Sequence, residues 1–386
     1  MTDNFERSFT QQEPISEEAI EAAVRVLRSG RLHRYNTTDE DLGETAVLEK
    51  EFAALIGAQY CLAVASGGYA LATALRALGV GHGDKVLTNS FTLAPVPGAI
   101  AAVGATPIYV DVTDQLVIDL NDLKSKAHKA KTLMLSHMRG HICDMEELME
   151  FCDASGLIVI EDCAHTMGAK WNGTWSGRFG SVACYSTQTY KHINSGEGGF
   201  LVTDNAEVMA KAVLLSGSYM LYERHLAVPK SASFKHLKYQ MPNISGRMDN
   251  LRAAILRPQL KALEKRCVSW NERYREMERC LSGIPGLQLI NRPEKECFVG
   301  SSFQFLLKNW SIEAVSDVIK GCRARGVELK WFGAKQPTAF TSNYRSWKYA
   351  AHKPMPKSDK IFAGLLDMRI PLTFSVDDCT KIAAII

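Results

Sequence analysis

The chain lacks several things, and each absence narrows what it can be. No stretch approaches the ~18 consecutive apolar residues that a membrane span needs, so no transmembrane segment is expected. The opening residues, MTDNFERSFTQQEP, are polar without an apolar core, so no secretion signal is expected either. Neither sign of charge dominates. Lys and Arg number 45 against 42 Asp and Glu, a net charge of +3, too balanced to argue for nucleic acid or an anionic membrane as partner. The ten cysteines, at 61, 143, 152, 163, 184, 267, 280, 297, 322 and 379, include no C-x-x-C pair with metal spacing. Several sit inside apolar runs and read as reduced, buried thiols, which points to the cytoplasm. Internal repeats and low-complexity tracts are absent as well.

What is present is enough for a full core: 46% apolar residues over 386 positions, the length of one large or two ordinary domains. The chain is organised around Val182 to Gly199, VACYSTQTYKHINSGEGG. Val182, Ala183, Cys184 and Tyr185 read as a buried strand, and polar residues lead from it to Lys191. Gly196-Glu197-Gly198-Gly199 then requires a tight turn or a close backbone approach before a second strand, Phe200 to Thr203. A lysine held between two strands by a polar loop can lose its proton when desolvated and act as a nucleophile. Upstream, Leu157 to Ile160 is an all-apolar strand of the kind covered on both faces, and Glu161 and Asp162 stand where it ends. Ligands of open α/β sheets bind just beyond the carboxyl ends of the strands, so Asp162 and Lys191 are expected in one site. An Asp, a Lys and a glycine-rich phosphate loop are the parts a pyridoxal phosphate site requires.

These residues carry a resemblance. Ala65 to Leu75 (ASGGYALATAL), Gly83 to Val112 (GDKVLTNSFT…GATPIYVDV), Glu161 to His165 (EDCAH) and Ser186-x-x-x-x-Lys191 followed by Gly196 to Gly199 resemble, in order, four motifs of the DegT/StrS-type sugar aminotransferases. The match spans about residues 15 to 280 well and the rest loosely. It implies the α/β fold of PLP-dependent aspartate-aminotransferase-like enzymes (fold type I). That fold has a large domain with a mostly parallel seven-stranded sheet flanked by helices, here residues 1–250. A linking helix and a smaller C-terminal α+β domain follow, here 251–386. The chain order agrees: strand, helix and strand alternate over Lys85–Thr88, about Leu93–Val103 and Thr106–Val110, with another strand at Thr132–Ser136. Further helices are expected over Ser16–Leu27, Val47–Leu55, Met145–Ala154, part of Ala206–Leu226, Ser316–Arg325 and Met248–Cys280, the last kinked near Pro258. Strands are expected at 301–307 and 327–332.

By the same resemblance Lys191 is the Schiff-base lysine and the proton shuttle. Asp162 pairs with the pyridine nitrogen. Ser186, the amides of Gly67 and Gly68, and Gln188 hold the phosphate, and His165 lies near the phenolic oxygen. Leu93 or Phe91 covers the ring. Arg247 and Asn243 fall in the segment (His236 to Ala254) that reaches a neighbouring subunit's site, which implies a homodimer with shared active sites; the spacing of Asn243 departs from the family's. The loop Arg31 to Glu44, basic at Arg31, His33 and Arg34 and acidic after them, departs from the family's short aromatic-glycine turn and reads either as the mouth of a site, with Arg34 a substrate contact, or as a solvated surface loop. His137, Arg139 and His141 have no trustworthy metal spacing, and no metal is expected. The expected reaction moves an amino group from L-glutamate to a keto or aldehyde sugar. A closer resemblance carried by the segments RLHRYN, SGGYAL and PNISGRMDN implies the 8-aldehyde of a 3-deoxyoctulosonate, a sugar of lipopolysaccharide biosynthesis, as acceptor, with a nucleotide-linked keto sugar as the alternative. A sugar dehydratase would carry histidine in place of Lys191, and a silent regulatory relative would be expected to lose Lys191 or Asp162.

Overall fold

The computed structural model describes residues 4–38, 40–337 and 343–386; Asp39, in the acidic part of the loop noted above, lies outside them. The chain begins with α1 (Glu17–Ser29) and α2 (Glu44–Ile56). Ser16 caps α1 by accepting from the Ala19 amide, Glu17 and Glu18 complement the helix dipole, and Gly30 ends it in the left-handed conformation. Strands and helices then alternate: β1 (Tyr60–Val64), α3 (Gly67–Ala77), β2 (Lys85–Asn89), α4 (Pro95–Ala102), β3 (Thr106–Val110), α5 (Leu120–Lys126), β4 (Thr132–Ser136), α6 (Met145–Ser155) and β5 (Ile158–Asp162). A small hairpin, β6 (Lys170–Trp171) and β7 (Thr174–Trp175), precedes β8 (Val182–Ser186), β9 (Gly199–Thr203) and α7 (Ala206–Ser216). Helix α4 starts two residues later than the apolar run suggests, because Pro95 fits the first helical position, where no amide partner is needed.

The seven strands β1-β9-β8-β5-β4-β2-β3 form one sheet in that spatial order. The pairs β2–β3, β2–β4, β4–β5 and β5–β8 are parallel, and only β9 runs against its two neighbours. Side-chain alternation divides each strand between two cores. Val182 and Cys184 face α3, α4 and α7 with Leu62, Val64 and Leu201. Ala183 and Tyr185 face the other way, with Phe52 and Phe200. Burial on both faces is what makes these strands read as apolar runs.

The remainder is α8 (Asn250–Leu281), β10 (Leu287–Leu289), β11 (Glu296–Cys297), β12 (Ser302–Leu307), α9 (Ile312–Ala324), β13 (Lys330–Trp331), α10 (Pro356–Gly364), β14 (Leu365–Arg369) and α11 (Val376–Ile385). Helix α8 continues through Pro258. Strands β10-β12-β14-β13 make a second, antiparallel sheet with its own apolar cluster, which Phe5 and Phe9 from the N-terminal segment join. No helix among the described residues is long and apolar enough to cross a membrane.

Candidate active site

The carboxyl ends of β4, β5 and β8 lie side by side, pairing Ser136 with Asp162 and Asp162 with Cys184. Asp162 is 7% exposed; it accepts from the Ser136 hydroxyl at 2.9 Å and from the Ala164 amide at 3.2 Å. Burial raises its pKa against the opposing pull of those two donors and of Lys191. The neighbouring Glu161 points to the opposite face. Its two oxygens accept from His137 Nε2 and from the amides of Gly177, Phe179 and Gly180. Glu161 therefore ties a loop to the sheet. It also groups with His137 and Cys163, but an acceptor already filled by four donors has nothing left for a metal ion.

From Ser186 the chain folds into a compact loop. The Gln188 amide donates to Ser186 Oγ, the Lys191 amide to the Gln188 carbonyl, and the amides of Thr187 and Thr189 to the carbonyls of Gly198 and Gly196. Gly196 and Gly198, at φ +82° and +148°, supply conformations other residues rarely adopt. Gly199 is required by closeness instead: a Cβ there would lie 2.7 Å from the Gly67 amide nitrogen. On the other side of that contact, a Cβ on Gly67 would meet Ser186 Cβ at 2.9 Å. The amino end of α3 is thus pressed against Ser186, with the free amides and positive dipole end of the helix beside a hydroxyl.

Lys191 Nζ lies 2.9 Å from His165 Nε2. Burial, aided by the charges of Arg139 and Arg369 and opposed by Asp162, lowers the Lys191 pKa to about 7. Burial and the nearby lysine push His165 well below the usual imidazole range. A cavity of about 670 Å³ brings Lys191, Asp162, His165, Ser186, Gln188, Gly67 and Gly68 together, with Leu93, Met138, Arg139, Tyr190 and Arg369 on its walls. Leu93 lines the cavity, whereas Phe91 is fully buried against Phe332 and Phe362.

Three expected contacts are not in this cavity. Arg34 is the clearest correction. It is 2% exposed and forks onto Glu49, Nη1 to Oε1 at 2.8 Å and Nη2 to Oε2 at 2.9 Å, and so is committed inside the protein. Its companion Arg31 pairs at the surface with Asp41. Arg247 lies over the Tyr219 ring and donates to the carbonyls of Ser216 and Gly217, while exposed Asn243 caps the turn at Ser245; both stand away from the cavity of their own chain. His192 is buried between the Met167 carbonyl and Ser301 Oγ, so it does not stand in for Lys191 as a dehydratase histidine would. Sequence reasoning missed Arg139 and Arg369 as cavity residues. Arg139 was in view within SHMRGHICDM, and Arg369 closes the unread apolar strand LLDMR.

The model of the DegT/DnrJ/EryC1/StrS aminotransferase family matches residues 13–386. The chain belongs to that family. Its cofactor is pyridoxal 5'-phosphate. Among curated relatives in the family, one described as a putative L-glutamine:3-amino-2,3-dideoxy-scyllo-inosose aminotransferase of Micromonospora echinospora is 29% identical over 73% of this chain. The chain spans 66% of that relative's length, a little under two thirds. The dTDP-3-amino-3,4,6-trideoxy-alpha-D-glucose transaminase of Streptomyces venezuelae is 33% identical over 73% of this chain and 69% of its own. Among solved structures, DesV of S. venezuelae, determined in complex with a ketimine intermediate, superposes with a TM-score of 0.79 at 25% identity over 95% of this chain and 93% of that one.

The residues present fit the cofactor. The helix-end amides and Ser186 make an anion cradle that side chains on Gly67 or Gly199 would close. Asp162 is a buried carboxylate, and no cation among the described residues pairs with it at ion-pair distance, which suits a protonated ring nitrogen. The depressed pKa of Lys191 gives a sign for pH dependence. A lysine with its ordinary pKa near 10.4 gains reactivity up to that pH, whereas this one is half neutral near 7. The rate at which apoprotein captures the cofactor aldehyde is expected to rise through pH 6–8 and level off above about 8, read by stopped-flow absorbance. A rate still climbing at about pH 10, as for an ordinary lysine, would contradict the desolvated amine.

Proposed function

We propose that the protein is a PLP-dependent aminotransferase that moves an amino group from L-glutamate to a keto or aldehyde sugar. The observation that carries this reading is the convergence of Lys191, Asp162, Ser186 and the amino end of α3 on one cavity. Bound there, pyridoxal 5'-phosphate would supply an aldehyde for an amine to join and a ring that draws electrons from the amine-bearing carbon. Lys191 would hold the cofactor through Nζ, then, once displaced, take a proton from the substrate carbon at Nζ and return it. Asp162 would keep the ring nitrogen protonated, because a carboxylate beside it favours the cation. Ser186, Gln188 and the amides of Gly67 and Gly68 would hold the phosphate. His165 Nε2 would orient Lys191 Nζ, and Leu93 would exclude water from one face of the ring. Residues 1–250 would carry this machinery, with 251–386 closing the cavity through Arg369. Arg247 and Asn243 would serve a partner subunit in a homodimer.

The relatives' printed names describe both amino-sugar and nucleotide-sugar chemistry. For the acceptor, the 8-aldehyde of a 3-deoxyoctulosonate remains our first proposal and a nucleotide-linked keto sugar the second. With Arg34 withdrawn, the support for an acidic sugar moves to the arginines of the cavity wall. L-Glutamate alone, added to the yellow holoenzyme, is expected to replace its visible band near neutral pH with the shorter-wavelength band of the aminated cofactor. The octulosonate aldehyde is then expected to restore the original band faster than a nucleotide keto sugar does. No change with glutamate would overturn the donor reading, and faster recovery with the nucleotide sugar would overturn the acceptor.

A further inference from the structure

The segment ahead of α1 is tied down along its length. Phe5 and Phe9 are buried in the apolar cluster of the antiparallel sheet, each edge-on to Phe374 with ring centroids 5.1 and 5.0 Å apart. The Phe5 amide donates to the Arg325 carbonyl at 2.8 Å, and any side chain on Gly326 would strike the Phe5 carbonyl. Arg7 Nη1 donates to the Thr373 carbonyl at 2.6 Å, while its Nε pairs with Asp378 at 3.2 Å. Thr373 Oγ1 donates in turn to the Gln11 carbonyl at 3.1 Å. At the far end Arg266, on α8, donates through Nη1 to Glu13 at 3.0 Å and through Nε to the carbonyl of His192, the neighbour of Lys191. Burying two phenylalanine rings outweighs the entropy of ordering a short polar segment, so residues 5–13 form a fixed strap.

Thr10 stands between these ties and lines the cavity that holds Lys191 and Asp162. Asp162 is buried and Thr10 exposed, so the cavity runs outward from the carboxylate to a rim that includes the strap. Thr10 Oγ1 lies 2.9 Å from Ser8 Oγ, which also accepts the Thr10 amide at 3.2 Å. Two hydroxyls hold two protons and spend one on each other, so a donor and several lone pairs are left at the rim. That set gives and takes hydrogen bonds without charge, which suits a hydroxyl-rich ligand. The amino-acid donor ends in carboxylates, for which charged groups are the stronger partners.

We propose that Thr10, fixed on the cavity rim by this strap, helps select the acceptor: its hydroxyl hydrogen-bonds a hydroxyl group of a sugar whose reacting carbon lies at Lys191. The inference rests on the aminotransferase reading above and adds to it a specificity residue from the N-terminal segment. It holds for a free sugar acid and for a nucleotide-linked sugar alike, since both carry hydroxyls.

The test uses holoenzyme carrying Thr10→Val, which keeps the branched shape without the hydroxyl, or Thr10→Ser, which keeps the hydroxyl. Each half-reaction is followed separately by cofactor absorbance, with L-glutamate as donor and the octulosonate aldehyde or a nucleotide keto sugar as acceptor. Thr10→Val is expected to raise the half-saturating concentration of the acceptor about 3- to 10-fold, the worth of one neutral hydrogen bond, and to leave that of glutamate unchanged. Thr10→Ser should stay near wild type. A second readout needs no turnover: hydrogen exchange at the amides of residues 8–12 in wild-type holoenzyme should slow in the presence of the acceptor. Thr10→Val matching wild type with the acceptor, or raising both constants equally, overturns the inference while the aminotransferase reading stands. If wild type fails with glutamate or with both sugars, the failure belongs to that reading, and hydrogen exchange with each sugar in turn still decides the rim contact, absence of slowing with both overturning it.

Discussion

Lys191→Ala is expected to lower transamination by about 10⁴-fold or more, because one atom, Nζ, is lost both as nucleophile and as general base. Neither nearby histidine replaces it. His165, 2.9 Å away, is a half-buried imidazole whose pKa lies well below its usual range, so it is a weak base and no amine. His192 is turned toward Met167 and Ser301. The fold should survive the change. The Lys191 pKa is lowered in the folded protein, to about 7, so between that pH and its ordinary value the unfolded chain binds the extra proton. Folding stability from this group therefore rises with pH across that window, and the lysine is a burden below it. Apoprotein of Lys191→Ala should melt at or above the wild-type temperature at pH 7, with the difference shrinking toward pH 10. Measurable turnover in the variant, or a well-folded variant that still shows the visible band of covalently held cofactor, would refute the role given to Lys191.

The second large effect falls on stability. Arg34→Met is expected to cost about 3–5 kcal/mol, the usual result of leaving a buried partner charge behind. Glu49 is 0% exposed; besides the Arg34 fork it accepts the Ala63 amide at 2.9 Å and faces His225 Nδ1 at 3.2 Å. His225 in turn meets the Tyr35 hydroxyl at 2.8 Å. Burial alone would raise the Glu49 pKa, but Arg34 and His225 hold it down to about 2. A depressed carboxylate stabilises the fold above its ordinary pKa and loses that contribution as pH falls toward 2. Removing Arg34 should therefore lower the denaturant midpoint most near neutral pH and least in acid. In the fraction that folds, substrate constants should stay near wild type. A variant of full stability whose sugar constant rose tenfold or more would restore Arg34 to the substrate.

The contrast between Arg34 and Arg369 shows where sequence reading reaches its limit. The motifs around Asp162, Gly67 and Lys191 were legible because each requirement is local: an apolar strand, the acid at its end, glycines where the backbone crowds. The alternation of strands and helices was legible for the same reason, since burial on both faces writes continuous apolar runs, while the number of strands came from the resemblance alone. Arg34 sits in a polar stretch that reads as surface, and only its meeting with Glu49 and His225, 15 and 191 positions away, reveals a buried role. Arg369 is placed by β14, which follows α10 directly after Gly364 and whose pairing with β12 and β13 is long-range. Helices α5 and α10 went unread because they are short and their apolar positions few, and α11 because it is only ten residues long. The strand expected over 327–332 narrows to Lys330–Trp331, the only stretch that finds a partner in β14. Helix α7 stops at Ser216 because Gly217, Tyr219 and Met220 all take positive φ, a succession no apolar spacing announces.

The lysine loop hangs from the parallel sheet, while the arginine that faces it is mounted on the antiparallel one, and the two are joined by the stacked Tyr190 ring, the Arg139–Asp367 pair and the His192–Ser301 hydrogen bond. The amine and the cavity arginine are thus carried by different sheets, so a shift of one sheet against the other would change the distance between them.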